Sequence, residues 1–513
     1  MFGIPGRRLL AIGAFVLWFG AVGEHVRREY FKPLETRLAE ATRRLDPATY
    51  FYAVRLDGRT IGLATSRLDT VPGGFVLEER LVLDLPAMGK VERAVMSTTA
   101  ELGPALDVRR FAFDLTSAGS QFGVRGTVRD GTTLDLEIRT GGKTERSEVD
   151  AGSGALLAAL APLRLAAAGG LETGREHRLA IFDPSLLATR EVMLRVGERD
   201  RLLVPDSVDL DAARREWIPA RYDTVPVWRI EESYGGIKVS SWVDPDGRLV
   251  KAESPIGFVV ERTEYELAQQ ELARTRSEPG LAEGYGPIIE STAIASNLPL
   301  SGMGETSQLV VRLADVDLEG FDLAGGRQTL RGDTLVIVRE DVAGLAAGYT
   351  LPYRGGGEPA SELEATPLIQ ATDPRIVEAA KVVAGGETDP VGVARKLNEW
   401  VYRSVSKELV PSVPSAVQVL ETRRGDCNEH TILYVALARA LGLPARTATG
   451  LVYLNGRFYY HAWPEVWLGE WVAVDPTLGQ FPADAAHLRF VVGGLARQVE
   501  LVRLMGRLRL EVQ

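Results

Sequence analysis

The 513-residue sequence holds one cysteine, Cys427, and five histidines. A single thiol excludes an internal disulfide framework and any zinc site built from several cysteines. Positive charge is also in deficit: 59 Lys and Arg against 69 Asp and Glu leave a net charge of −10, with no basic cluster beyond short arginine pairs. That balance removes the electrostatic footprint a nucleic-acid partner needs. Long apolar runs are missing except near the start, where Arg7 and Arg8 precede the uncharged stretch 9–23. What remains, 45% hydrophobic and 25% charged residues, is the composition of a folded protein, and its length implies roughly two to four domains.

Arginines ahead of an apolar run read as an export signal or a membrane anchor. Ala21, Val22 and Gly23 have the small side chains of a cleavage site, whereas helical spacing through Leu34, Leu38, Ala41 and Leu45 favours an uncleaved anchor. Either reading puts the bulk of the chain beyond a bacterial inner membrane, in the periplasm or extracytoplasmic space, and the anchored one makes it single-pass. Residues 1–23 are thus an anchor or signal and 24–48 a connecting helix. From 49 to 265, alternating strands broken by Asp57-Gly58, Asp130-Gly131, Gly141-Gly142 and Asp246-Gly247 predict one antiparallel curved sheet, with a helix over 156–168 covering its concave side. Residues 266–305 read as a helix and linker and 306–358 as a small β module. Residues 371–480 form an α+β core, and 481–513 a strand and helix extension packed on the core or the middle module. The fold class is multidomain α+β.

The chemistry concentrates between Arg424 and Leu478. Asp426 has the character of an N-cap, and Glu429, three residues on, completes a capping box, so Cys427 takes the first helical position. The macrodipole there favours a thiolate, the flanking carboxylates oppose it, and a reactive sulfur needs a further cation, for which histidine is the candidate. Strands are predicted for 446–454, 458–467 and 471–475. Period-two alternation puts Tyr459, His461, Trp463 and Glu465 on one face. A three-residue turn at Gly469 sets Trp467 against Trp471 and brings Asp475 diagonal to His461; a two-residue turn reverses it, so the arrangement requires an odd loop or a bulge at Pro464.

Thiol, imidazole and carboxylate are the parts of acyl transfer through a thioester. Gly425 permits close backbone approach, useful if the Cys427 amide faces an oxyanion. His430 is a rival imidazole and half of a Cys-x-x-His pair; with no acidic or histidine cluster to complete a shell, it reads as lining or capping the site, and no metal or cofactor is expected. Glu465 and Trp463 read as structural or supporting, and Arg446 as the partner of a carboxylate. His25, His177 and His487 stand without a supporting motif.

Gly425-Asp426-Cys427, Gly442-Leu443-Pro444-Ala445-Arg446, His461-Ala462-Trp463-Pro464-Glu465 and Asp475-Pro476-Thr477 together resemble the transglutaminase-like superfamily. The resemblance implies a papain-like α+β core with Cys427 as nucleophile, His461 as base and Asp475 as orienter, acting on a protein or peptide substrate. The lone cysteine argues against the zinc-bearing branch. Hydrolysis of peptide or amide bonds is the favoured expectation. An amine acceptor would make the enzyme a cross-linking transglutaminase, and a silent core a scaffold. A further reading has the N-terminal sheet carry a lipid or other hydrophobe. Oligomeric state is not readable.

Overall fold

The computed structural model describes residues 34–513 apart from 88–89, 118, 153–155, 235–236, 256, 278–292, 301, 303, 342–343 and 409–411. The expected anchor therefore lies outside the described residues. Among those described, no helix is long and apolar enough to cross a membrane.

Alternation builds the N-terminal region. In the strand Thr133–Thr140, Leu134, Leu136 and Ile138 are buried while Asp135, Glu137 and Arg139 point outward, the pattern of a sheet with one dry face. Asp57-Gly58 and Asp130-Gly131 both adopt positive φ, the backbone of tight hairpin turns; the first is a two-residue loop, and Thr132 lengthens the second to three. Fourteen strands result, in two meanders joined because the first, Ala48–Leu56, pairs with the last, Phe258–Thr263. The helix Leu160–Ala167 lies between the two meanders in the chain and packs Leu160, Leu163 and Leu165 into the sheet's core. Gly247 permits this closeness: a Cβ there would stand 2.2 Å from the Pro162 carbonyl oxygen.

The helices Pro374–Ala384 and Pro390–Ser404 start at Asp-Pro pairs, with Asp373 accepting from the Arg375 amide and Asp389 from that of Gly392. Together with Ala416–Thr422 they surround the helix Cys427–Ala440, in which every residue from Glu429 to Ala438 is buried. A helix apolar on all sides belongs in an interior. It packs on a sheet ordered Ile294–Ala295, Arg457–Trp467, Ala445–Leu454, His487–Val492, with Trp471–Ala473 on the second strand.

The segment 481–513 is more than an extension. Its strand His487–Val492 is an edge of the core sheet, and Arg509–Val512 pairs with Gln308–Ala314 of the middle module. A boundary at 480 therefore cuts the core, because the second face of that sheet needs Leu488, Phe490 and Val491 to pack against Val311, Leu335 and Ile337. Residues 349–353, expected in the middle module, also lie on the core, where the Tyr353 amide donates to the Gly442 carbonyl. The N-terminal sheet reaches the core through Lys143 on Asp373 and Arg375 on the Gly141 carbonyl.

Leu510 is 4% exposed within the shared apolar cluster. Leu510→Ala is expected to cost about 2–4 kcal/mol and to speed hydrogen exchange in His487–Val492 as well as in Gln308–Ala314. Loss of protection confined to the latter would show that the two sheets open independently.

Candidate active site

The helix start is built as its residues dictate. Asp426 accepts from the Asn428 amide at 2.8 Å, Glu429 returns to the Asp426 amide at 2.9 Å, and Ser412 donates to the other Glu429 oxygen. Gly425 makes room for that return, since a Cβ there would meet the Glu429 Cβ at 2.2 Å. Burial, then the Asp426 charge, pushes the Glu429 carboxyl well above the usual range. His430 is fully buried and turned back on the same helical turn, its Nδ1 2.7 Å from the Asp426 carbonyl oxygen. Burial lowers its pKa.

Cys427 is half-buried at this helix start. Its sulfur accepts from the backbone amide of Ala462, the residue after His461. Desolvation, reinforced by the Asp426 charge, raises the thiol well above its ordinary value against that one donor. The sulfur rests as a thiol.

The adjacent strands take the register expected from an odd loop. Trp467 faces Trp471 and Glu465 faces Ala473 across the three residues Leu468, Gly469 and Glu470, and Pro464 sits in register opposite Thr447 without a bulge. Asp475 then follows the strand end and lies 2.7 Å from His461 Nε2 through its Oδ2. Its Oδ1 accepts from the Thr477 and Leu478 amides at 2.7 and 2.9 Å. Burial opposes a charge on Asp475, but His461 and His487 outweigh it and hold the carboxyl below the usual range. Trp463 stacks on the His461 ring with centroids 6.1 Å apart. Glu465 turns to a buried pair of guanidiniums, 2.9 Å from both Arg446 Nε and Arg489 Nη1.

His487 is the residue that sequence reasoning missed. It is fully buried, with Nε2 3.0 Å from Asp475 Oδ2 and Nδ1 2.9 Å from Asp484 Oδ1. Two carboxylates accept at its two nitrogens, so both must donate and the ring is an imidazolium. Burial disfavours that charge, yet the bonds to Asp475 and Asp484 prevail and raise its pKa. Gly450 lets its strand close, since a Cβ would stand 1.9 Å from the Leu488 carbonyl oxygen. Its one local sign is Asp484, three residues before it; nothing in the sequence places it on Asp475, twelve residues earlier.

His461, Asp475 and His487 also form a cluster of metal-ligand type. The His461 and Asp475 atoms are 2.7 Å apart, whereas two ligands on one tetrahedral zinc stand about 3.3 Å apart. The spacing is that of hydrogen bonds.

Residues 378–476 match the model of the transglutaminase-like superfamily. Among solved structures, the chain is similar to a candidate cysteine protease from Cytophaga hutchinsonii, at 16% identity and a TM-score of 0.27, over 40% of this chain and 82% of that one. It is also similar to a β-barrel-like protein of the domain of unknown function DUF1849 from Brucella abortus, at 14% identity and a TM-score of 0.31, over 43% of this chain and 95% of that one. No curated protein sequence matches.

His487→Gln removes a cation buried between two carboxylates, at an expected cost of about 3–5 kcal/mol near pH 6. Because the folded-state pKa of His487 is raised, its contribution is complete below the unfolded value of about 6.5 and is lost as pH rises through the folded one. Urea unfolding of wild type and variant should therefore differ most at pH 6 and converge in alkali; a deficit unchanged by pH would refute the imidazolium.

Proposed function

We propose, from the premise that residues 378–476 are a transglutaminase-like domain, that this chain is a cysteine enzyme of acyl transfer whose reaction is hydrolysis of a peptide or amide bond. The observation that carries the reading is the 2.7 Å bond from His461 Nε2 to a buried, ionised Asp475, on the strand whose Ala462 amide meets the Cys427 sulfur.

That bond sets the tautomer. An ionised carboxylate only accepts, so Nε2 carries the proton and Nδ1 offers the lone pair. The Cys427 proton passes to His461 Nδ1 as the sulfur attacks the carbonyl carbon. The oxyanion forms where the Cys427 amide, first of its helix and without an intrahelical acceptor, is available to donate. Nδ1 returns the proton to the departing amine, leaving a thioester on Cys427. Water, activated by His461, adds to the thioester and releases the acid and the thiol. A thiol that rests neutral delivers its proton during attack, so the base acts with substrate in place. An amine entering instead of water gives the cross-linking reaction. The proposal includes the location beyond the inner membrane, with residues 1–23 as anchor or signal.

The test uses fluorescein-labelled casein, with and without a fluorescent primary amine. Release of peptides without incorporation of the amine is the expected result; amine incorporation would reassign the acceptor. Cys427→Ala should abolish turnover, and Asp475→Asn should lower it by about 10²–10⁴-fold. Iodoacetamide should alkylate the free enzyme at a rate that climbs above the ordinary thiol value of about 8.5, with no plateau near neutrality. Turnover that survives Cys427→Ala would end the proposal.

A further inference from the structure

The N-terminal sheet encloses a cavity of about 310 Å³ remote from the cysteine chemistry. Its floor and walls are the inward residues of successive strands. Tyr52 pairs with Ala64, Ala64 with Leu81, and Leu81 with Met96, so one parity supplies a continuous apolar surface. Pro162 and Leu163 of the covering helix close it from above. The volume is about twice that of a dry apolar cavity that accepts benzene, which suits a single alkyl chain of about ten carbons and falls within the range of built ligand sites.

Two carboxyls interrupt this lining, Glu79 from one meander and Glu232 from the other. The polar partner of Glu79 is Ser66, directly across the strand pair, and that of Glu232 is Ser241. Among the described residues, neither carboxyl has a guanidinium or ammonium partner. The cations nearby are engaged elsewhere: Arg248 donates to the Tyr50 hydroxyl and the Asp46 carbonyl, and Arg262 pairs with Asp244. Arg80, on the opposite parity from Glu79, is exposed at the rim. The remaining titratable groups of the lining are Tyr50 and Tyr52, and Tyr52 donates to the Leu249 carbonyl. Both side chains are half-buried; a carboxylate drawn out of water is ordinarily paired, and here the missing partner is a cation.

We infer that this cavity binds a single-chain amphiphile whose alkyl tail fills the apolar lining and whose terminal amine, as an ammonium, pairs with Glu79 and Glu232. The inference is independent of the activity proposed for Cys427. Burial holds the Glu79 carboxyl up at about 7 and also raises Glu232. Below neutrality Glu79 is protonated and offers no charge; above it the carboxylate appears. An alkylammonium with a pKa near that of lysine, about 10.4, stays charged throughout, so its affinity rises with pH across neutrality. A neutral chain of the same length carries no charge to answer the carboxylate, so its affinity changes little with pH.

The experiment titrates decylamine and decanol into the full chain by calorimetry at pH 5.5 and 8.5. Decylamine is expected to bind about tenfold or more tighter than decanol at pH 8.5, with a smaller ratio at pH 5.5, where Glu79 is protonated. Glu79→Gln, which removes an unpaired carboxyl and creates no cavity, should erase most of the amine preference and leave decanol within about twofold of wild type. Leu81→Trp should block both ligands. Equal binding of the two chains at both pH values, an amine preference untouched by Glu79→Gln, or failure of decylamine to bind would overturn the inference.

Discussion

The site depends on one carboxylate. Asp475 is buried, yet it accepts four hydrogen bonds, two from backbone amides on one oxygen and two from imidazoles on the other. An unpaired carboxylate at such depth would take up a proton. Four donors reverse that, and their directions fix the group as firmly as its charge. The backbone pair pins it to the turn that follows the strand Trp471–Ala473. The imidazole pair ties two strands of the core sheet to that turn. His461 therefore receives both its tautomer and its orientation from a group that is itself over-determined.

His487 adds a second layer. Its charge draws on the same carboxylate that orients His461, and Asp484 compensates from the other side. The chain from Asp484 through His487 to Asp475 alternates sign and ends on His461, which donates to Asp475 as a neutral ring. A cation held between two carboxylates lowers the charge that a dry interior has to carry. Glu465, between Arg446 and Arg489, repeats the device on the same strand as His461. Two such networks flanking Trp463 leave the strand Arg457–Trp467 little freedom to tilt.

Local signals were legible in the sequence to the degree that neighbours in the chain decide them. The capping box at Asp426 and Glu429, the Asp-Pro helix starts and the Asp-Gly hairpins each follow from a few adjacent residues, and each stands in the structure as its chemistry requires. The pairing of Trp467 with Trp471 was reachable because loop parity leaves only two choices. Contacts between distant segments were not reachable. The docking of His487 on Asp475 depends on how a twelve-residue excursion folds back, which no periodicity encodes. The completion of the middle sheet by Arg509–Val512 likewise follows from tertiary packing alone. Glu79 and Glu232 carry no signal of their own in the sequence, because only the folded sheet brings both into one lining.

The order of the strands along the chain has a temporal meaning. Ribosomes deliver residues from the first to the last, and the thiol at 427 is made well before the imidazole at 487 and the strand ending at Val512. A nascent chain that has just produced its cysteine lacks the cation that steadies Asp475 and the strand that closes the middle sheet. Its thiol is present before the groups that order its surroundings. The setting of Cys427 is thereby tied to strands made after it, and a polypeptide interrupted before them carries the thiol without that setting.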